Sequence, residues 1–235
     1  MTHPTNGNPP VATAQPTALH ERWTKAGPVV THLPDERVFE LQEVAEASVG
    51  DPAPMGLFGF AVGTLLIAIP IAGIMPLTNV PAALPTLLVF AGLGQFIAGV
   101  VAYRKGNTFA ATAFCSFGAN NVVVSTFFLF QSAGVFAKNT DTMRLLGIDL
   151  IAFAYIAFVL MIAAARFNAV FVLVLLALFP GYGLAGVGDV GNFTTVGNVG
   201  GWFLIISAGL AFYAAGALVL NSCYSRTVLP MFSRT

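Results

Sequence analysis

Residues 56–75 read GLFGFAVGTLLIAIPIAGIM, a run without one charged side chain and with Thr64 as its only hydroxyl. Crossing the ~30 Å hydrocarbon core of a bilayer takes about 20 apolar residues at the rise of an α-helix. The run therefore reads as a transmembrane helix. Further apolar runs follow at 82–102, 109–131, 144–164, 167–187 and 200–222. Pro76, Asn79 and Pro81 break the chain after the first run, and Arg104-Lys105-Gly106-Asn107 after the second. Lys138-Asn139-Thr140-Asp141, Arg166 and Gly188-Asp189-Val190-Gly191-Asn192 mark the remaining breaks.

Composition agrees with the runs. Hydrophobic residues make up 57% of the chain and charged ones 9%, where a soluble domain carries about a quarter charged. The expected fold is an all-α membrane protein, a bundle of six transmembrane helices over residues 51–223. A polar N-terminal tail (1–50) precedes it and a short C-terminal tail (224–235) follows. Residues 1–36 are too polar to order themselves. In 37–49, Val38, Leu41, Val44 and Ala45 recur at helical spacing, which fits either a short amphipathic helix on the membrane or a partly ordered acidic tail. No basic-then-apolar leader opens the sequence.

Basic residues set the expected orientation. With the N-terminus in the cytoplasm, that side holds Arg22, Lys25, Arg37, Arg104, Lys105, Arg166, Arg226 and Arg234, and the other only Lys138 and Arg144. This is the bias of the positive-inside rule, so both termini are expected in the cytoplasm, in a plasma or inner membrane.

Several chemistries are excluded by missing parts. Formal net charge is zero, which leaves no basic footprint for nucleic acid. His3, His20 and His32 all precede the first apolar run, so an intramembrane metal centre or Ser–His dyad has no histidine. Cys115 and Cys223 lie far apart and form no metal-ligand spacing. No Walker-type phosphate loop is present. No catalytic residue, metal or cofactor is expected.

The segment Asp51-Pro52-Ala53-Pro54-Met55-Gly56-Leu57-Phe58-Gly59-Phe60 starts the first helix. Asp51 can cap a helix whose first residue is Pro52, and the free N–H groups there favour an anion. Taken on its physics alone, the segment is as well explained by a plain capped helix start. It resembles, however, the N-P-A-P-[LM]-G-L signature of the acetate uptake transporter family. Gly94-Gln95-Phe96-Ile97-Ala98-Gly99, Tyr103 to Phe109 and Thr112-Ala113-Phe114 are similar to that family's second and third helices and the turn between them. Gly201-Trp202, Tyr213 and Arg226-Thr227-Val228-Leu229-Pro230 resemble the last helix and tail of its bacterial members.

The resemblance implies a homohexamer in the lipid bilayer, with a path for acetate, succinate or another small carboxylate through each protomer. It also implies a hydrophobic constriction, carried here onto Phe60, Phe117 and Leu175. Asp51, Pro52, Pro54 and Gly56 belong to the signature, and Gln95 lies within the second helix, where its amide can bond a carboxylate or a neighbouring helix. The sequence departs from the family at Asp51, where an asparagine is usual, at Phe117, where tyrosine is frequent, and at Asn120 and Asn121, where aromatic residues are usual. These two amides are costly in lipid and must face the pore or another helix; both readings stand. Asp149 is the one acid well inside an apolar run. It is either a proton-coupling carboxylate or an acid near the helix end, hydrated or paired with Arg144 or Lys138.

Asn107 is expected to cap the third helix, and Ser125 and Thr126 to bond back to their own helix. The expected activity is acetate transport, channel-like or proton-linked. A channel for ammonia, water or urea, and an acetate sensor that transports nothing, are the alternatives.

Overall fold

The computed structural model describes residues 50–137 and 139–232. Among them, six helices are long and apolar enough to span a membrane: α1 (Ala53–Ile71), α2 (Leu77–Arg104), α3 (Thr108–Ser132), α4 (Thr140–Ala164), α5 (Ala169–Gly191) and α6 (Thr194–Tyr224). The described residues contain no extended strand. The amphipathic stretch expected at 37–49 and the suggested partner Lys138 lie outside the described residues.

Local chemistry sets the helix ends. Asp51 Oδ1 accepts from the Ala53 N–H at 3.0 Å, satisfying a donor at the start of α1. Three helices start on asparagine: Asn107 Oδ1 accepts from Ala110 N, Asn139 Oδ1 from Thr142 N and Asn168 Oδ1 from Phe171 N. At Asn139 the bonding is reciprocal, because Thr142 Oγ1 accepts from the Asn139 N–H. This box starts α4 at Thr140, a full turn before the expected position.

Other bounds also differ from expectation. The glycine-rich stretch 188–192 read as a loop, yet α5 runs through it to Gly191, and Asn192 ends the helix with a left-handed φ of 56°. α6 begins at Thr194 rather than 200. The glycines there serve packing: a Cβ on Gly188 would sit 2.6 Å from Gly197 Cα. α2 begins earlier than expected, with a 3-10 turn over Leu77–Asn79. A π-helical stretch, Leu87–Gly94, follows Pro85 within it. Proline brings no N–H and crowds the preceding turn, which favours such a widened stretch.

The helices pack as a ring in which α4 lies on α5, α5 on α6, α6 on α1, α1 on α2 and α2 on α3. Contact between α3 and α4 closes the ring over a much shorter length. The starts of α1, α3 and α5 share one face of the bundle, called here the N-terminal face, with the ends of α2, α4 and α6. Residues beyond α6 return to that face. Asn221 Nδ2 donates to Leu229 O, its Oδ1 accepts from Val228 N and Leu229 N, and Tyr213 Oη donates to Pro230 O. Met231 is buried against the cluster containing Leu57, Ala98 and Val170.

Small residues make the seams tight, as lipid-dissolved helices require. A Cβ on Gly201 of α6 would run into the backbone of Ala72 at the end of α1. One on Gly63 of α1 would lie 2.6 Å from Ala91 Cβ and 3.0 Å from the Asn121 amide. By contrast, Gly209 and Gly216 of α6 have nothing within 4 Å. Gly201→Val should therefore cost about 1–3 kcal/mol by overpacking and lower the thermal midpoint in detergent, while Gly209→Ala should leave the monomer's midpoint unchanged.

Candidate functional site

Two chambers occupy the ring, one toward each face. The wide chamber, about 780 Å³, opens between the α1–α2, α3–α4 and α5–α6 connections on the face opposite the N-terminal one. Its polar lining includes Asn120, Asn121, Asn139, Tyr182, Asp189 and Asn198, and among the described residues it holds no lysine or arginine. The narrow chamber, about 110 Å³, lies toward the N-terminal face and is lined by Phe60, Gln95, Phe114, Phe117, Phe171 and Leu175 among others.

Phe60, Phe117 and Leu175 come from α1, α3 and α5 and meet in one buried cluster. The Phe60 and Phe117 ring centres are 5.6 Å apart. Phe117 also touches Phe153 at 6.3 Å and lies nearly parallel to Tyr182 at 6.1 Å. Phe117 lines the narrow chamber, whereas Asn120 and Asn121, one turn further along α3, line the wide one. A turn of helix rises ~5 Å, so the partition between chambers is thin on this helix. On α1 the corresponding pair is Phe60 and Ile67, on α5 Leu175 and Tyr182, each two turns apart.

Polar groups flank this partition on both sides. Asn121 Nδ2 donates to Ala91 O and to Gln95 Oε1, each at 3.2 Å. Ala91 lies in the π-helical stretch, where widened turns loosen the backbone's own pairing. Gln95 is completely buried, its Oε1 is engaged by Asn121, and its Nε2 has no hydrogen-bond partner. An unpaired buried amide N–H costs roughly 1–3 kcal/mol, which marks the position as more than filler. On the other side, Asn120 Nδ2 donates to Asp149 Oδ2 at 3.0 Å, and Tyr182 Oη donates to Asn120 Oδ1 at 3.4 Å. Both asparagines thus bond a neighbouring helix and line a chamber at once. Ser125 and Thr126 bond back to the carbonyls of Asn121 and Val122, as expected.

Asp149 sits about two and a half turns into α4, deeper than expected because the capping box moves the helix start. Arg144 turns to Asp141 at 3.2 Å and to Val190 O at 3.2 Å, so it is not the partner of Asp149. Of the signature residues, Asp51 lies one residue further out than expected, accepting from the Ala53 N–H, while Pro52 holds the N-cap position and Pro54 lies in the first turn; Gly56 packs under the Phe114 ring, 2.6 Å from its nearest atom if given a Cβ. Sequence reasoning missed Tyr182 and Phe153. Tyr182 was legible as a hydroxyl-bearing aromatic inside an apolar run, seven residues after Leu175 and hence on the same helix face.

Relatives share this architecture. The succinate-acetate/proton symporter SatP of Escherichia coli (strain K12) is 27% identical over 188 residues, 80% of this chain and 98% of the relative. Acetate permease A of Emericella nidulans is 27% identical over 203 residues, 81% of this chain and 68% of the relative. The solved structure of the bacterial acetate channel SatP superposes with a TM-score of 0.72 at 28% identity, covering 78% of this chain and 99% of that one. A model of the GPR1/FUN34/yaaH family matches residues 36–233. With six membrane-spanning helices, the same fold and a match along most of its length, the chain belongs to the GPR1/FUN34/yaaH family.

Proposed function

We propose that this protein carries acetate, and with it succinate or other small carboxylates, across the membrane through the two chambers of each protomer. The observation that carries this reading is the unpartnered amide of Gln95, a residue that lines the narrow, largely apolar chamber together with Asn107. Its free N–H donors suit a carboxylate oxygen, and the described residues lining that chamber include no cation to trap the anion. Relatives named for acetate transport support the same cargo. Passage requires partial dehydration and hydrogen bonds on either side of a dry barrier.

In this reading Phe60, Phe117 and Leu175 form the barrier. A solute in the wide chamber keeps much of its water, sheds it at the rings, and regains two donors from Gln95. Asp149 couples the step to protons. The N-terminal face, with Arg104, Lys105, Arg166 and Arg226, faces the cytoplasm, in keeping with the positive-inside bias. Six protomers assemble in the membrane, and the unfilled surface at Gly209 and Gly216 suits close approach of a neighbouring helix.

A second reading is a channel for a neutral solute such as ammonia, water or urea, favoured by one observation: the polar lining of the wide chamber among the described residues is mostly uncharged amides and hydroxyls. Competition separates the two, since excess succinate should block labelled-acetate uptake into proteoliposomes while urea and ammonium should not.

Phe60→Ala should raise acetate flux or admit larger carboxylates, because it opens one side of the ring cluster; unchanged rate and selectivity would remove Phe60 from the barrier. Gln95→Leu keeps the volume but removes both donors, and should lower acetate flux by about tenfold, the worth of one hydrogen bond to a charged group. For orientation, a membrane-impermeant maleimide should label the exposed Cys223, at the end of α6, only when the cytoplasmic surface is accessible. Labelling of intact cells would reverse the assignment.

A further inference from the structure

The chain Asp149–Asn120–Tyr182 links three helices just above the ring cluster, and its hydrogen-bond directions are fixed by its members' chemistry. An ionised Asp149 can only accept. Asn120 must therefore turn its Nδ2 to Asp149, 3.0 Å away, which leaves its Oδ1 facing Tyr182. The Tyr182 hydroxyl then has to donate to Asn120. Its one hydrogen is engaged, and only oxygen lone pairs remain for anything else. Tyr182 lines the wide chamber and lies against Phe117, so it forms the rim where a solute meets the barrier. With Asp149 ionised that rim is an acceptor: it opposes a carboxylate and favours a group carrying a hydrogen, such as an undissociated carboxylic acid.

Protonation reverses every bond in the chain. Once Asp149, which is half-buried, takes a proton from water, its O–H can donate to Asn120 Oδ1. The amide turns over, Nδ2 faces the phenol oxygen, and the hydroxyl hydrogen of Tyr182 is released to the chamber. The rim is then a donor, able to hold a carboxylate. We infer that the protonation state of Asp149, passed through the Asn120 amide, decides whether Tyr182 offers an acceptor or a donor to the solute, which makes Tyr182 a specificity-determining residue. This deepens the acetate-transport reading and rests on it.

The surroundings of Asp149 leave this chain as its main polar outlet. From α5 it faces Tyr182, and Asp189 lies against Gly147, two residues from Asp149. From α3 comes Asn120, an amide that does not titrate. On α4 itself Asp141 and Arg144 pair with each other, and Tyr155 is exposed.

Two measurements test the inference. In the first, pH-difference infrared spectra are recorded on the purified protein carrying ring-labelled tyrosine. A tyrosine C–O band should shift in step with the protonated-carboxyl band of Asp149; both changes should vanish in Asp149→Asn, and Tyr182→Phe should lose the tyrosine change alone. A tyrosine band that stays fixed while Asp149 titrates overturns the switch. In the second, labelled-acetate flux into proteoliposomes is followed from acid to alkaline pH. The side chain in Asp149→Asn can donate to Asn120 at any pH, so alkaline flux should rise about tenfold and lose its pH dependence. In a Tyr182→Phe background the same substitution should change flux less than about twofold; an undiminished effect there overturns the role of the hydroxyl. Vesicles tight to acetate at every pH would remove the transport reading instead, and the infrared result then decides the switch by itself.

Discussion

Hydrocarbon gives a polar group nothing to bond to, and every other feature of this bundle answers to that constraint. The backbone meets it by closing into helices. The side chains meet it by pairing across helices, so that a polar group survives inside only where a neighbour completes it. Asn121 is completed by the Ala91 carbonyl and the Gln95 oxygen, Ser207 by the Val174 carbonyl, and Asn120 by Asp149 and Tyr182. Gln95 Nε2 and Gln131 Nε2 are the buried side-chain atoms among the described residues left without a partner, and of the two residues Gln95 lines the narrow chamber. The same rule that forces polar groups into pairs makes an unpaired one conspicuous.

The ring closes unevenly, and the polar residues are distributed accordingly. Where α1 meets α6 and α2, backbones approach at glycine and little room is left for side chains. Where α3 meets α4 the contact is short, and a hydrogen bond from Asn120 to Asp149 ties the two helices together beside the wide chamber. A seam held by an amide and a carboxylate is stabilised differently from one held by packing, since its strength follows the protonation of one partner.

Helix number and type were legible in the sequence because lipid sets an unmistakable length and composition. Boundaries were less legible where one residue type serves two purposes. Glycines at 188 and 191 resemble loop formers, yet they lie within α5, and Gly188 lets α6 approach. Asn139 resembled one more loop residue, yet with Thr142 it starts α4 and sets the depth of Asp149. Phe60, Phe117 and Leu175 could be named only through family resemblance, and their meeting in one cluster depends on three helices that no spacing rule connects. Tyr182 escaped for the same reason: its place on α5 could be read, but its contact with Phe117 and Asn120 is a matter of tertiary packing.

The π-helical stretch of α2 has a mechanical implication. A wide turn holds one residue more than an α-helix would fit into the same height, and successive residues of an α-helix are about 100° apart around the axis. Gln95 begins the regular helix directly after that stretch. Tightening the wide turn to ordinary geometry would rotate the remainder of α2 by roughly that angle and carry Gln95 away from its place in the lining of the narrow chamber.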